Sequence, residues 1–292
     1  VLRSAGNRGN PWRQTTATAA NCELTRIWCV TNLNMGVWLN SAKSNAFRRC
    51  VLSSLNFSSI YSDGTAAGNY FEDSILLSSA AGALQVGGAA VSNITGCIMV
   101  GRQGIFQNGN EQGARNIFYP SGAFHPTHET LAEFQRNNPN WRGNTVADPK
   151  FFNADALDFH LLSASGFVSN GVWVTNAAVG YSPAIDFGRA DDPAYASEPD
   201  PNGGRRNTGL YGGTAQASKS RSGPWLFAMA FNDCGNLSQT GRLEWVASTN
   251  LAAANVDLQF STNNGVSWSN IATGVAATNE SYVWVPTVAH PA

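Results

Sequence analysis

Two pairs of charged residues have the composition of an acid–base site. Arg48 and Arg49 are adjacent, and Glu72 and Asp73 form a second adjacent pair further along the chain. A base and a carboxylate in one groove abstract protons from sugar acids. Two carboxylates in one groove hydrolyse glycosidic bonds. These four residues are the candidate catalytic set.

Histidine and glutamate side chains gather in the stretch HPTHETLAEFQ. His125, His128, Glu129 and Glu133 have side chains that bind zinc, but their order is not the HExxH pattern of zinc hydrolases. A histidine pair three residues apart without a third ligand favours surface decoration over a metal site. Pro126 near the start and Leu131 and Phe134 at helical spacing predict one short helix here.

An acid-rich run provides the weak candidate ligands for calcium. Asp186, Asp191 and Asp192 lie close in sequence, but their spacing matches no EF-hand loop. We therefore expect no cofactor, with a calcium ion as the alternative that these acids leave open.

The glycine-rich stretch NGGRRNTGLYGG (202–213) raises the question of phosphate binding. It lacks the GxxxxGK[ST] and GxGxxG spacings, as well as the strand before and the helix after that phosphate loops need. Its glycines permit tight turns, and Leu210 and Tyr211 can cover apolar surface. The stretch is predicted to be structural, sealing the end of a fold.

The elements that position these residues are internal repeats. The rows CELTRIWCV, NAFRRCVLS, NYFEDSILL, SNITGCIMV and RNIFYPSG begin at residues 22, 45, 69, 92 and 115, so their starts differ by 23, 24, 23 and 23 residues. We call the nth residue of each row column n. Column three is apolar throughout: Leu24, Phe47, Phe71, Ile94 and Ile117. The repeat is predicted to end after Pro120.

Short apolar segments separated by Gly, Ser and Asn turns indicate strands rather than helices. A coil of ~23 residues stacked on its copies at ~4.8 Å is a parallel β-solenoid. In this register Arg48 lies over Glu72, and Arg49 lies over Asp73. Cross-rung ion pairs on a solvated face are favoured over a catalytic groove, because each charge then already has a partner.

Column seven holds Trp28, Val51, Ile75 and Ile98, between two inward-facing columns. Either a bend in the strand lets columns six and eight both face inward, or column seven is an apolar stripe on the outside. An exposed stripe needs a cover from this chain or from another protein. The bend is the favoured interpretation.

Composition limits the classes of partner. Charged residues make up 13% of the 292 residues and the net charge is -1, which gives no basis for nucleic acid binding or an anionic membrane as partner. No apolar run approaches the ~18–20 residues of a membrane helix. The five cysteines, with no CxxC pair, are predicted to be small buried hydrophobic residues.

Longer motifs carry a family resemblance. The order TLAEFQ, ADPKF, DFHLL, SPAID, EPDPNGGRRNTGLYGG and TAQASKS resembles the C-terminal end of secreted bacterial right-handed parallel β-helix proteins of the pectin-lyase-like superfamily. The resemblance covers about Asn21 to Ser220. It implies an extracellular or cell-surface location and a structural role for the glycine-rich stretch. Polysaccharide lyases share this fold, so the resemblance also leaves an enzymatic function open.

The pattern changes after Arg221. Alternating segments in RLEWVAS, VDLQFSTNNGVSW and SYVWVP predict a small β-sandwich, and STNNGVSW resembles an Asp-box hairpin with Asn263 in place of Asp. The segment resembles the immunoglobulin-like or fibronectin-type modules appended to extracellular proteins. We therefore predict an all-β chain: a right-handed parallel β-helix with its cap and one short flanking helix over residues 1–220, then a sandwich, incomplete at its end, over residues 221–292.

Two functions fit this organisation. The first is an extracellular structural or adhesion module whose flank contacts a polysaccharide, a cell-surface glycan or another protein, with self-association through the solenoid ends as a further option. The second is a polysaccharide lyase or glycoside hydrolase. The module is favoured, because the sequence shows no complete catalytic set.

Overall fold

The structure is a computed structural model that describes residues 2–5, 12–14, 20–87, 92–107, 112–233, 236–237, 240–286 and 290–291. The regular secondary structure of the described residues is mostly strand, with one α-helix. The predicted fold class is confirmed: a parallel β-solenoid is followed by a small β region.

Sixteen strands build the solenoid. In chain order they are β1 (Leu2–Ala5), β2 (Trp12–Gln14), β3 (Glu23–Thr25), β4 (Ile27–Val30), β5 (Val37–Asn40), β6 (Ala46–Arg48), β7 (Val51–Ser54), β8 (Ile60–Asp63), β9 (Asn69–Glu72), β10 (Ile75–Val86), β11 (Ser92–Thr95), β12 (Ile98–Gln107), β13 (Gln112–Ala114), β14 (Ile117–Pro120), β15 (Trp141–Arg142) and β16 (Thr145–Val146). The helix α1 (Leu131–Asn137) lies between β14 and β15.

Successive coils contribute neighbouring strands to the same parallel sheets. The first sheet has the order β3-β6-β9-β11-β13-β15. The second has the order β1-β4-β7-β10-β12-β14-β16, and a third row, β2-β5-β8, joins it at β10. Each coil thus passes from the first sheet to the second, and the sheets enclose a common core.

The predicted register is confirmed for the first four rows. Leu24 pairs with Phe47, Phe47 with Phe71, and Phe71 with Ile94. The rings of Phe47 and Phe71 stack with centroids 4.9 Å apart and planes 8° apart. Each coil therefore buries its column-three side chain on the equivalent side chain of the next coil.

The fifth row has a different register from the predicted one. Gly113, not Ile117, pairs with Ile94, and Ile117 pairs with Ile98 of column seven. A Cβ on Gly113 would lie 2.1 Å from Trp141 Cζ3, so the ring of Trp141 occupies the space of the missing side chain. The prediction that the repeat ends after Pro120 is also wrong, because β15 and β16 add another coil.

A left-handed residue separates the first sheet from the second in every coil. The residue at column five of the first four rows, and its structural equivalent in the next two coils, has a φ value between 51° and 65°: these residues are Arg26, Arg49, Asp73, Gly96, Arg115 and Gly143. The conformation costs roughly 1–2 kcal/mol for an L-residue. The first five of these residues each donate a backbone N–H to the next coil, as from Arg49 to the Glu72 carbonyl at 3.0 Å. The bend of the coil therefore lies at column five.

Asparagine ladders stabilise the turns between sheets. Asn45 Nδ2 donates to Asn69 Oδ1 at 3.0 Å, and Asn116 Nδ2 donates to Asn144 Oδ1 at 3.0 Å. All four side chains are buried. Because buried amides need hydrogen-bond partners, stacking the same residue type in successive coils satisfies them.

The prediction of a bend at column seven is wrong. Columns six and eight face the solenoid core, and column seven faces outward, as regular alternation along a strand requires. Trp28, Val51, Ile75, Ile98 and Ile117 form this outer stripe. The chain covers the stripe itself, with apolar side chains that include Phe159, Leu161, Ile185, Phe187 and Leu210.

The predicted helix is confirmed, with narrower bounds. Thr130 caps α1, and its hydroxyl accepts from Glu133 N while the Glu133 carboxylate accepts from Thr130 N. Leu131 and Phe134 are buried in the solenoid core. The helix and Trp141 thus close the C-terminal end of that core.

The remaining strands are mostly antiparallel pairs. They are β17 (Phe151–Asn153), β18 (Asp158–Leu161), β19 (Phe167–Ser169), β20 (Val172–Val174), β21 (Leu226–Ala228), β22 (Asn236–Leu237), β23 (Gly241–Ala247), β24 (Asn255–Phe260), β25 (Ser269–Ala276), β26 (Ser281–Trp284) and β27 (His290–Pro291). Short 3-10 turns occupy Ala177–Val179, Pro193–Ser197, Thr249–Leu251 and Ala277–Asn279.

The C-terminal β region, from β21 to β27, contains the predicted hairpin. β24 and β25 pair across the turn at residues 261–268, where Asn263 Oδ1 accepts from Ser267 N at 2.9 Å. β21, β23 and β26 form a separate three-stranded sheet. Trp245 is buried between these parts, whereas Val283 and Trp268 are more than half exposed. The division of the chain near residue 220 remains a prediction.

Three of the cysteines are buried hydrophobic residues, as predicted. Burial raises the pKa of the Cys29 and Cys50 thiols to about 11 and raises that of Cys97 further. Cys22 is exposed, and Cys234 lies outside the described residues. The three buried thiols are thus protonated at neutral pH and serve as core side chains.

Candidate functional site

The candidate catalytic residues lie on one flank, at columns four and five. Arg48 pairs with Glu72 at 2.7 Å, as predicted, and also with Glu23 at 2.6 Å. These three side chains are partly exposed, so they form a ladder of ion pairs across three coils on the solvated face. Such a ladder contributes little to the free energy of unfolding.

Asp73 has a different partner from the predicted one. Its carboxylate accepts two hydrogen bonds from Arg206, at 2.8 and 3.1 Å, whereas Arg49 donates instead to the Gly212 carbonyl at 3.3 Å. The prediction that Arg49 pairs with Asp73 is therefore wrong. Burial raises the pKa of Asp73 to about 6, although the charges of Arg206 and Arg49 lower it.

A charged depression surrounds this pair. Its volume is about 380 Å³. The lining residues are Glu72, Asp73, Thr95, Arg189, Asp191, Asp192, Pro193 and Arg206. Arg206 Nε also lies 3.1 Å from Asp192 Oδ2, so the guanidinium bridges two carboxylates. The two predicted catalytic acids thus share one depression, but both are ion-paired.

A second recess lies at the first coils, where column five is basic. Its volume is about 490 Å³. The lining residues are Arg26, Trp28, Arg49, Leu210, Tyr211, Thr214, Ala215 and Gln216. Arg26 is exposed, and Tyr211 forms part of the wall. A recess with aromatic walls and a few polar groups is typical of a binding site.

The tyrosine wall of this recess is held in place. The rings of Tyr211 and His160 stack with centroids 3.8 Å apart and planes 5° apart. His160 Nδ1 in turn lies 2.5 Å from Asp158 Oδ1. Both partners belong to residues 151–220, the covering segment, whose apolar side chains cover the outer stripe. The recess therefore exists only when the covering segment is in place.

The glycine-rich stretch is structural, but it does not seal the core end. Leu210 packs on the outer stripe, and Gly209 N donates to Gly96 O at 2.9 Å. A Cβ on Gly209 would lie 2.7 Å from Ile98 Cδ1, so a glycine is needed for this close approach. Its two arginines form ion pairs outside the stretch. Arg206 pairs with Asp73, and Arg205 pairs with Glu280 in the C-terminal β region.

The weak calcium candidates occupy separate environments. Asp186 is buried and accepts from Ser220 Oγ at 2.5 Å, whereas Asp191 is exposed and pairs with Arg189 at 2.7 Å. Asp192 caps a 3-10 turn by accepting from Ala194 N at 3.0 Å. Within the described residues, no group of three His, Cys, Asp or Glu side chains is placed to hold a metal ion.

Two buried carboxyls in the covering segment have raised pKa values. Burial raises the pKa of Asp186 to about 7 and that of Glu198 to about 8. Glu198 Oε1 accepts from the backbone N–H groups of Asn207 and Gly213, at 2.8 and 2.7 Å. Glu198 therefore fixes the middle and the C-terminal end of the glycine-rich stretch.

An ion cluster joins the solenoid to the C-terminal β region. Glu280 pairs with Arg115 of the solenoid at 2.7 Å and with Arg205 of the covering segment. All three side chains are less than one-fifth exposed. Glu280 thus links three parts of the chain through one carboxylate.

The sequence did not reveal the partners that assemble these sites. Arg206, Tyr211 and Glu280 each act across a large sequence separation, so no local pattern marks them. The adjacent arginines 205 and 206 were the available signal, because paired arginines in a low-charge chain need acidic partners.

No family model, curated protein or solved structure matches this chain. Within the described residues, every helix is too short or too polar to cross a membrane.

Proposed function

We propose that this protein is an extracellular structural and adhesion module, a β-solenoid rod that binds an acidic glycan at the recess of Arg26, Arg49 and Tyr211. The resemblance to the pectin-lyase-like superfamily supports the extracellular location, as does the low charge content. The single observation that carries the proposal is the recess itself. It places two arginines beside an aromatic wall.

The chemistry of the recess matches a sugar with a negative charge. Guanidinium groups bind carboxylates and sulfates through charge-assisted hydrogen bonds. The ring of Tyr211, supported by His160, offers a rigid apolar surface for the face of a pyranose. Thr214 and Gln216 add neutral polar groups at the rim.

The proposal is tested with a panel of plant and algal polysaccharides. We expect saturable binding to acidic members, weakened by Arg26→Gln and by Tyr211→Ala. Lys43→Gln is the matched control, because it removes one exposed positive charge outside the recess. Equal binding by wild type and Arg26→Gln, or no binding across the panel, contradicts the proposal.

A polysaccharide lyase or glycoside hydrolase is the second candidate. One observation favours it: Asp73, with its pKa raised by burial to about 6, shares a depression with Glu72. Both oxygens of Asp73 accept hydrogen bonds from Arg206, which weighs against proton transfer.

The same panel separates the two functions. New reducing ends or unsaturated products, measured with and without calcium and lost on Glu72→Gln or Asp73→Asn, would establish an enzyme. Binding without products supports the module. Binding to another protein and self-association through the solenoid ends remain further predictions, and α1 covers one of those ends.

A further inference from the structure

The HPTH stretch before α1 forms a tight turn that fixes two histidines. His125 N donates to His128 O at 2.9 Å, and His128 N donates to His125 O at 3.2 Å, so the two residues close a hairpin turn. Pro126 and Thr127 occupy its corners. Proline restricts the backbone at this position, which reduces the freedom that ligand binding would have to remove.

The two imidazoles converge through their Nδ1 atoms. These atoms are 3.3 Å apart, and Thr127 Oγ1 lies 3.0 Å from that of His125 and 3.1 Å from that of His128. Both rings pack against the buried Phe134, with centroid distances of 5.4 and 5.8 Å. The three donor atoms therefore form a nearly equilateral triangle on a supported surface.

This triangle has the dimensions of one face of a metal coordination shell. Zinc binds imidazole nitrogen at ~2.0–2.1 Å, so two nitrogens at a tetrahedral angle are about 3.3–3.4 Å apart. At a right angle they are about 2.9 Å apart. The three separations in the turn, between 3.0 and 3.3 Å, lie within this range.

Of the four candidate zinc ligands in the sequence, only the two histidines are placed to bind one ion. Glu133 is occupied by capping, since its Oε2 accepts from Glu129 N at 3.0 Å, and Glu129 is exposed. The histidine pair remains, and the Thr127 hydroxyl supplies a neutral oxygen donor beside both rings. The burial of His125 and its proximity to His128 lower the pKa of His125, which favours the neutral ring that metals bind.

Existing hydrogen bonds are compatible with a bound ion. Thr127 N donates to His125 Nδ1 at a long 3.2 Å, and Thr127 is exposed, so water satisfies this N–H once a metal takes the nitrogen. His128 Nε2 lies 2.9 Å from the Asn137 side-chain amide. The nitrogen of this amide also lies 3.5 Å from the Glu133 carbonyl, so it faces two acceptors, and the contact with Nε2 is given up when a metal on Nδ1 places the proton on Nε2.

We propose that His125 and His128 bind one divalent transition-metal ion, of which Zn²⁺ is the representative, through their Nδ1 atoms, with the Thr127 hydroxyl as third ligand. Imidazole donors favour zinc, copper and nickel over calcium and magnesium. The exposed side of the turn leaves the remaining positions to water. This site is independent of the glycan recess and of the acidic calcium candidates.

Calorimetric titration of the full chain with Zn²⁺ tests the site. We expect one saturable site, with no saturable binding in His125→Gln or His128→Gln. Thr127→Val weakens binding, whereas the matched control Thr127→Ser retains it. Binding that persists in both histidine variants, or that Thr127→Val leaves unchanged, overturns the assignment of those ligands.

X-ray absorption of the wild-type protein loaded with one equivalent of Zn²⁺ gives a result that does not depend on the folding of any variant. We expect two imidazole ligands with Zn–N distances of ~2.0–2.1 Å. A first shell with one imidazole or none overturns the proposal, as does the absence of saturable binding to wild type.

Discussion

The carboxylate of Asp73 accepts both of its closest hydrogen bonds from Arg206, a residue 133 positions later in the chain. This pair connects the left-handed bend of the third coil to the glycine-rich stretch that covers the outer stripe. The charged flank is therefore a contact between the solenoid and its covering segment, in addition to being part of the protein surface.

Removal of Arg206 is expected to destabilise this contact between the solenoid and the covering segment. Arg206→Ala leaves the buried carboxylate of Asp73 without its two donors, and we expect a loss of about 3 kcal/mol in the free energy of unfolding. Chemical denaturation measures the loss. In a double-mutant cycle, Asp73→Asn should cost much less in the Arg206→Ala background than in wild type.

Arg189→Ala is the matched control for this prediction. It breaks an ion pair with Asp191 whose side chains are both more than 60% exposed, so no measurable loss of stability is expected. Equal effects of Arg189→Ala and Arg206→Ala would show that the Asp73 pair contributes no more than a surface pair.

Much of the solenoid was predictable because its repeats are local and periodic. The apolar columns of the first four rows gave the correct register, since each column must stack on itself. The partner of Asp73 was not predictable in this way. Arg206 lies in a segment outside the repeat, and many carboxylates precede it in the sequence.

The cover of the outer stripe was likewise not predictable from the repeat. Alternation along the strand places Trp28 and Ile75 outside, but an uncovered apolar stripe is costly in water, so a bend was the favoured interpretation. The cover comes from Phe159, Leu210 and neighbouring side chains, whose contacts cannot be inferred from strand periodicity.

The glycine at position 113 is expected to be required for the fifth coil. Gly113→Ala adds a Cβ that would lie 2.1 Å from the ring of Trp141, and overpacking of this kind costs about 1–3 kcal/mol. Gly223→Ala is the control, because its Cβ would meet nothing within 4 Å. Thermal denaturation should show a loss for Gly113→Ala alone, and an equal response of the two variants would contradict the register.

The sites were less predictable than the fold. Arg26 and Arg49 align in the repeat, but the wall that Tyr211 adds depends on the covering segment. The histidine pair was visible in the sequence, yet the distance between its nitrogens depends on a turn and on Phe134. Repeat periodicity thus predicted side-chain columns, but not the contacts between separate segments.

Glu198 is expected to make stability depend on pH. Burial raises its pKa in the folded state to about 8, against about 4.3 for an exposed Glu, so the folded protein binds more protons between these values. The stability that it contributes is full below about pH 4 and is lost as pH rises through about 8.

Denaturation of wild type and Glu198→Gln at pH 5, 7 and 9 measures this effect. Glutamine keeps an oxygen for the Asn207 and Gly213 N–H groups and cannot ionise. We expect wild type to lose on the order of 4 kcal/mol relative to Glu198→Gln between the lowest and highest pH. Asp191→Asn, at an exposed position, should leave the pH profile unchanged, and parallel profiles for wild type and Glu198→Gln would contradict the prediction.

Glu280 is expected to hold the C-terminal β region on the solenoid. Glu280→Gln removes the charge between Arg115 and Arg205 and leaves the buried Arg205 guanidinium without its carboxylate partner. A lost hydrogen bond to a charged group costs about 2 kcal/mol. Because the cost falls on the junction, calorimetry should show the C-terminal strands unfolding at a lower temperature than the solenoid. Glu244→Gln, which breaks a pair with Arg242 on the same strand, should not separate the transitions. If Glu280→Gln lowers a single transition as a whole, the junction is held by its apolar contacts rather than by this carboxylate.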